Sequence, residues 1–291
     1  MLAAAVGIGL GLYADFGALG DALASFRWAW FPGALALVLV NYLLRFWRWQ
    51  IYLARLGIDV PAGRSFSIFL AGLLGTLTPL KAGEVLKSGL LRRSYGVPIR
   101  RSAPIVVVER ITDGLGIVVL AALGGAGEAS NRALLVVALA GALVLVVALR
   151  TRLLDRFAVL AEARSAAGAL LGLPLLAGMT ALAAASWFFE CLAAYVCVRG
   201  LELDVGFPDT VVAFTVSSLA GALSFVPGGL GVAESGLTGL LRTLADVSAA
   251  GAAAATVLIR LATLWFAVAL GAAAFAVEQR LARRQASTRA T

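Results

Sequence analysis

Eight ionisable side chains of this chain lie inside long apolar stretches: Arg45, Glu84, Glu109, Arg110, Asp113, Glu190, Glu234 and Arg260. A charge at the centre of a bilayer costs about 3 kcal/mol, so eight left in lipid would cost on the order of 24 kcal/mol. That exceeds the stability of an ordinary domain. These groups must face one another, or face water. Glu109 and Asp113 are four apart and share one helix face, with Arg110 turned about 100° away. Two carboxylates so close do not both ionise without a cation beside them, and Arg45 and Arg260 are the obvious candidates. Such a group can recognise a charged ligand in a shared polar centre. The plainer alternative is a set of buried ion pairs that fixes helix register and binds nothing.

Two further patterns bear on binding. Lys81, Glu84 and Lys87 recur every three residues, either as a cationic strip for a phosphate or carboxylate from the cytoplasmic leaflet or as a snorkelling interfacial face. Pro227-Gly228-Gly229-Leu230-Gly231 opens a helix before Glu234, and exposed amides at Gly228 and Gly229 suit an anionic headgroup. Without a following Lys-Ser/Thr it is weak as a nucleotide site. The chain has no histidine, which excludes His-based triads, His metal ligands and an imidazole relay. Cys191 and Cys197 share one apolar segment and read as buried small hydrophobes, neither a disulfide framework nor a metal set. No catalytic residue, metal or cofactor is expected.

The elements that position these residues are duplicated. Leu70-Ala71-Gly72, Pro79, Gly83-Glu84 and Leu90-Leu91-Arg92 are followed, 149 to 150 residues later, by Leu219-Ala220-Gly221, Pro227-Gly228-Gly229, Glu234 and Leu240-Leu241-Arg242. An offset of 145 sets Ile58-Asp59-Val60 on Leu203-Asp204-Val205 and Arg45 on Glu190. Duplicated, Pro/Gly-interrupted apolar segments point to a binding site between inverted repeats. Composition agrees: 61% hydrophobic and 14% charged residues describe an integral membrane protein, against about 25% charged in soluble chains.

Spans are expected at about 2–19, 33–55, 101–124, 131–149, 169–199 and 248–277. Residues 65–78 and 211–226 are apolar but short of a bilayer. They read as helical hairpins that break at Pro79 and Pro227 and return on the side they entered; the alternative is a pair of Pro-kinked full spans. The aromatic cluster Phe46, Trp47, Trp49 and Tyr52 reads as a cytoplasmic interface belt.

The net charge of +8 could suggest nucleic acid, but its placement suggests a membrane. Basic residues gather at 92–101, at 150–164 and in the tail, and Arg48, Arg55 and Arg64 precede the first hairpin. Acidic residues (Asp15, Asp21, Glu128, Glu202, Asp204, Asp209) fill the other connections. With the basic side inside, both termini fall in the cytoplasm and the two hairpins enter from opposite faces.

At these residues the chain resembles the flippase-like transmembrane domain of bacterial lysylphosphatidylglycerol synthases, the multiple peptide resistance factors, and their stand-alone relatives. The resemblance runs from about Asn41 to Phe275. Its carriers are Arg45-Phe46-Trp47-Arg48-Trp49, Pro79-Leu80-Lys81-Ala82-Gly83-Glu84, Glu109-Arg110-Ile111-Thr112-Asp113, Pro227-Gly228-Gly229-Leu230-Gly231 with Glu234, and Arg260. The family often has Arg where Lys81 stands, and tends to carry Asn shortly before the hairpin proline, where this chain has Thr76 and Thr78. The chain ends soon after its last expected span, leaving no room for the synthases' soluble transferase domain. The resemblance therefore implies movement of a lipid between leaflets, not its synthesis.

The expectation is an all-α inner-membrane protein of about six transmembrane helices and two re-entrant hairpins in an inverted repeat. One domain would cover 1–278 (repeats at about 33–124 and 169–277), with a basic cytoplasmic tail at 279–291. Its cargo would be an aminoacyl-phospholipid, glycolipid or polyprenyl-phosphate type of lipid. Arg48, Lys81 and Lys87 would attract phosphate. The Glu109–Asp113 and Glu190–Glu234 carboxylates would meet cationic or hydroxyl groups, and Arg45, Arg110 and Arg260 would balance charge. Partners would be membrane lipids, with a homo-oligomer or envelope-biosynthesis enzymes as further candidates, and no nucleic acid. The rival readings are a small-anion secondary transporter of the same fold, a membrane-embedded lipid-modifying enzyme and a scaffold.

Overall fold

The computed structural model describes residues 9, 11–12, 14–78, 83–124 and 168–290, with side chains as far as 283. The expected span at 131–149, half of that at 2–19, Pro79, Lys81 and the basic cluster at 150–164 lie outside the described residues. Within them the chain forms ten α-helices: α1 (Phe16–Ala24), α2 (Phe31–Arg55), α3 (Ala62–Gly72), α4 (Leu86–Tyr95), α5 (Ile99–Gly124), α6 (Leu173–Gly200), α7 (Phe207–Leu223), α8 (Val232–Ala245), α9 (Ala249–Arg260) and α10 (Phe266–Ala290). Among the described residues, three stretches are long and apolar enough to cross a membrane: Trp28–Arg55, Leu173–Gly200 and Ala249–Arg283. The protein is an all-helical, multi-pass membrane protein. The expected span at 101–124 is the single helix α5, with Glu109, Arg110 and Asp113 near its middle.

Helix boundaries follow local chemistry. Pro32 opens α2, where a missing amide N–H costs nothing. At its far end Arg101 Nη2 donates to the Leu56 carbonyl at 2.7 Å, satisfying an acceptor that the helix leaves open. Ser248 Oγ accepts from the Gly251 amide at 3.1 Å and starts α9.

Ala62–Leu77 and Phe207–Leu223 are apolar but shorter than the roughly 20 residues a span requires. In both places the chain doubles back. A Cβ on Gly72 would collide with the Lys87 side chain, and one on Gly75 with the backbone of Gly83 and Glu84, so α3 and α4 belong to antiparallel limbs. A Cβ on Gly221 would lie 2.9 Å from that of Ala233, and one on Gly236 would lie 3.2 Å from that of Ser217, which places α7 and α8 likewise. The glycine of each Leu-Ala-Gly thus sits where two limbs approach closely, as small residues permit between membrane helices.

The packing of the two halves is reciprocal. Helices α2 and α6 lie antiparallel: the Arg27 amide meets the Gly200 carbonyl at 2.9 Å at one end, and Asn41 Nδ2 donates to Glu190 Oε1 at 2.8 Å further along. The first hairpin packs on α10, where Arg64 pairs with Glu278 at 3.1 Å, and α7 of the second hairpin packs on α5. The hairpin tips, the 3₁₀ turns Leu73–Leu77 and Pro227–Gly229, touch each other.

Two readings of the cytoplasmic interface are corrected. Trp49 and Tyr52 are fully buried, and Phe46 packs edge-on against Phe66, leaving Trp47 as the exposed member of that aromatic cluster. Arg48 is likewise interior and does not mark the end of a span. The physical reason is helical spacing, since Asn41, Arg45, Arg48, Trp49 and Tyr52 occupy one inward face of α2. Both cysteines are buried in α6. The last helix runs on through residue 290, so the basic tail expected at 279–291 extends α10.

Candidate functional site

Three elements of the first half bring seven charges together. Helix α2 supplies Arg45 and Arg48, the returning limb of the first hairpin supplies Glu84 and Lys87, and α5 supplies Glu109, Arg110 and Asp113. Two of the contacts are short and sealed. Arg48 Nη2 lies 2.6 Å from Asp113 Oδ1, with Nη1 donating to Thr112 Oγ1 at 3.2 Å. Lys87 Nζ lies 2.6 Å from Glu109 Oε2 and 3.4 Å from Glu84 Oε2, and 4.6 Å from the centre of the Trp49 ring, a cation–π contact. The remaining contacts are shared. Arg110 Nη2 reaches Glu84 at 3.2 Å and Asp113 at 3.0 Å, while Arg45 Nη2 stands 3.5 Å from Glu84 and 3.8 Å from Asp113.

The second half contributes a tighter device. Gly228, Gly229 and Gly231 all take positive φ, conformations open to glycine but costly for a side chain with a Cβ. Glu234 Oε2 accepts from the Gly231 amide at 2.6 Å, a capping-box contact at the start of α8. Arg260 Nε meets Glu234 Oε1 at 2.5 Å, and its Nη2 donates to the Gly228 carbonyl at 2.8 Å. Arg260 therefore holds the loop at both ends. It stands immediately before a π-helical turn, Leu261–Trp265, and Tyr42 of α2 donates its hydroxyl to the Thr263 carbonyl within that turn at 3.1 Å. Such turns recur at functional sites.

Between the two sets lies a cavity of about 430 Å³, within the range of small-molecule sites. The first half lines it with Tyr42, Arg45, Thr76, Thr78, Arg110 and Asp113, and the second with Trp187, Glu190, Phe214, Gly228, Gly229 and Arg260. Charged and apolar residues of both halves thus line one cavity. The chain matches the family model "Lysylphosphatidylglycerol synthase TM region" over residues 1–271. It belongs to that family. It is also 27% identical over 225 residues to a UPF0104 membrane protein of Methanocaldococcus jannaschii, covering 71% of this chain and 94% of the relative. A UPF0104 membrane protein of Methanothermobacter thermautotrophicus is 31% identical over 87 residues, 30% of this chain and 26% of that relative.

Several of the expected residues lie away from the cavity lining. Arg48, Lys87 and Glu109 do not line the cavity; they stand behind its wall, each closed by an opposite charge at 2.6 Å. Lys87 is only 1% exposed, so it belongs neither to an open cationic strip nor to a snorkelling face. The cause is the doubling back of the hairpin, which turns this side of α4 toward Trp49 and α5. Arg260 neutralises Glu234 instead of the Glu109–Asp113 pair, whose cations are Lys87, Arg48, Arg45 and Arg110. Glu84 and Glu234 also sit behind the lining, while Glu190 faces the cavity with Asn41 bonded to it.

Asn41, Tyr42, Thr76 and Thr78 join the site without having been expected there. The inward spacing of Asn41, Arg45 and Arg48 on α2 could have revealed the first. Thr78 ties the two limbs of the hairpin together, because its hydroxyl donates to the Gly75 carbonyl at 2.7 Å and accepts from the Gly83 amide at 2.6 Å.

Proposed function

We propose that this protein moves a lipid with a polar headgroup between the leaflets of a membrane, the headgroup passing through the central cavity while the acyl chains stay in the bilayer. The observation that carries this reading is a charged cavity built from both halves at the point where two short hairpins meet. Its wall is amphipathic: Trp187, Phe214 and Leu219 stand beside Arg45, Arg110 and Arg260. Leu223 both lines the cavity and is exposed on the outer surface, which suits a sideways opening to lipid.

The inverted-repeat reading draws support from α2 and α6, which the sequence offset makes equivalent and which pack antiparallel. A two-fold operation that reverses helix direction has its axis across the helices, hence in the bilayer plane. The short hairpins then re-enter from opposite faces, and one repeat rocks against the other. Both termini would be cytoplasmic, in a cell's inner membrane, and residues 1–278 would act as one domain.

The test is headgroup sidedness in liposomes holding the purified chain, over anionic, zwitterionic and glycosylated lipids. Wild type moves at least one class, and Glu84→Gln and Arg260→Ala each slow it by roughly tenfold or more, the loss expected when a buried charge pair is broken. A wild-type protein that moves no headgroup ends the proposal. Equal movement of a small soluble anion, with lipid left in place, would instead favour the transporter reading.

A further inference from the structure

The three arginines of the cavity are not alike. Arg110 shares two carboxylates at 3.0 and 3.2 Å, and Arg260 is held by Glu234 and the Gly228 carbonyl. Arg45 is different. It is 6% exposed and lines the cavity, yet its carboxylate neighbours stand 3.5 and 3.8 Å away, both on Nη2. Charge-assisted bonds of a guanidinium close to about 2.7–2.9 Å, so these contacts balance charge without making hydrogen bonds. Its Nε is buried without a hydrogen-bond partner among the described residues, as are those of Arg48 and Arg110; what sets Arg45 apart is that its nearest carboxylate oxygens stand no closer than 3.5 Å. A guanidinium presents a planar fork of five N–H donors, and buried donors left unmade are costly. Arg48, three residues on, is by contrast bonded at both terminal nitrogens.

We infer that Arg45 is the specificity residue of the cavity, a fork kept open for two oxygens of a phosphate or phosphodiester. The inference rests on the translocation reading only for the source of that phosphate. A phosphate supplies two anionic oxygens in the spacing the fork matches, whereas Arg110 and Arg260 in the same lining are already held by carboxylates. The hydroxyl or amine part of a headgroup instead meets Tyr42, Thr76 and Glu190, which line the same space.

The experiment uses the purified full chain in detergent, titrated with phosphatidylglycerol, with inorganic phosphate and with diacylglycerol as the phosphate-free control. The unfolding midpoint is the readout, because a ligand that binds the folded state raises it. Phosphatidylglycerol stabilises wild type and diacylglycerol does not. Arg45→Lys, which keeps the charge and loses the fork, weakens the apparent affinity by roughly tenfold or more, whereas Arg27→Gln, altering an exposed ion pair, binds as wild type does. If Arg45→Lys fails to fold, phenylglyoxal labelling of Arg45 in the unaltered chain is read by mass spectrometry, and phosphatidylglycerol must protect it. Equal binding by Arg45→Lys, equal stabilisation by diacylglycerol, or unprotected Arg45 overturns the assignment. Inorganic phosphate that matches the lipid through Arg45 upholds it with a soluble source. Arg45-dependent binding without leaflet movement sinks translocation alone; movement undiminished in Arg45→Lys sinks the Arg45 role alone.

Discussion

Lys87 carries its charge inside the protein because Glu109 and Glu84 face it and the Trp49 ring covers it. Replacing it with Met leaves Glu109 buried and without its near cation, which costs about 3–5 kcal/mol. Replacing both, Lys87→Met with Glu109→Leu, recovers most of that loss, since a buried pair exchanged for apolar groups of similar volume is close to neutral. Thermal unfolding of the two variants in detergent measures the difference; a single variant as stable as wild type would show that the pair does not hold the fold. The sequence displays the carboxylates of α5 on one face but not the element that covers them. Spacing reports the faces of a residue's own helix. It is silent on which neighbour closes over Lys87 and Arg48, so from sequence Lys87 reads as part of a cationic strip or a snorkelling face and Arg48 as a charge open to phosphate. Arg260 is misassigned from sequence in the same way, because Glu234 lies across a hairpin turn and not at helical spacing.

At the scale of elements, the second hairpin's tip depends on its glycines. Gly228 and Gly229 have φ near +65°, and a Cβ on Gly229 would lie 3.0 Å from the Gly221 Cα, against 3.4 Å to the Leu77 side chain for Gly228. Gly228→Ala is therefore expected to destabilise by about 1 kcal/mol. Gly229→Ala, which also drives the limbs apart, costs about 2–3 kcal/mol. Gly239→Ala, in an open position of α8, stabilises by about 0.5–1 kcal/mol. Unfolding midpoints rank the three, and any other order contradicts the packing. This tip is legible from Pro227-Gly228-Gly229-Leu230-Gly231, whose residues announce a break in any context. The π turn at Leu261–Trp265 is not, because an inserted residue in a helix leaves no compositional mark.

Over the whole molecule, the two hairpins occupy corresponding places, each against a late helix of the other half. Single cysteines flanking Pro79 should label from the cytoplasm and those flanking Pro227 from the opposite side, in a chain whose Cys191 and Cys197 are replaced by Ala. Labelling of both positions from one side would remove the inverted arrangement. The repeated Leu-Ala-Gly makes the hairpins readable because a backbone contact requires glycine whatever surrounds it. The reciprocal packing stays hidden, since Arg64 and Glu278 are joined only through tertiary structure. That reciprocity bears on biosynthesis. Arg45, Arg48, Glu84, Lys87, Glu109, Arg110 and Asp113 find their counter-ions within residues 45–113, so a nascent chain can neutralise them before the ribosome has made the rest. The outer side of the first hairpin, by contrast, waits for α10 to emerge, and a chain truncated before residue 266 would leave the bilayer holding an uncovered hairpin that quality-control proteases can recognise.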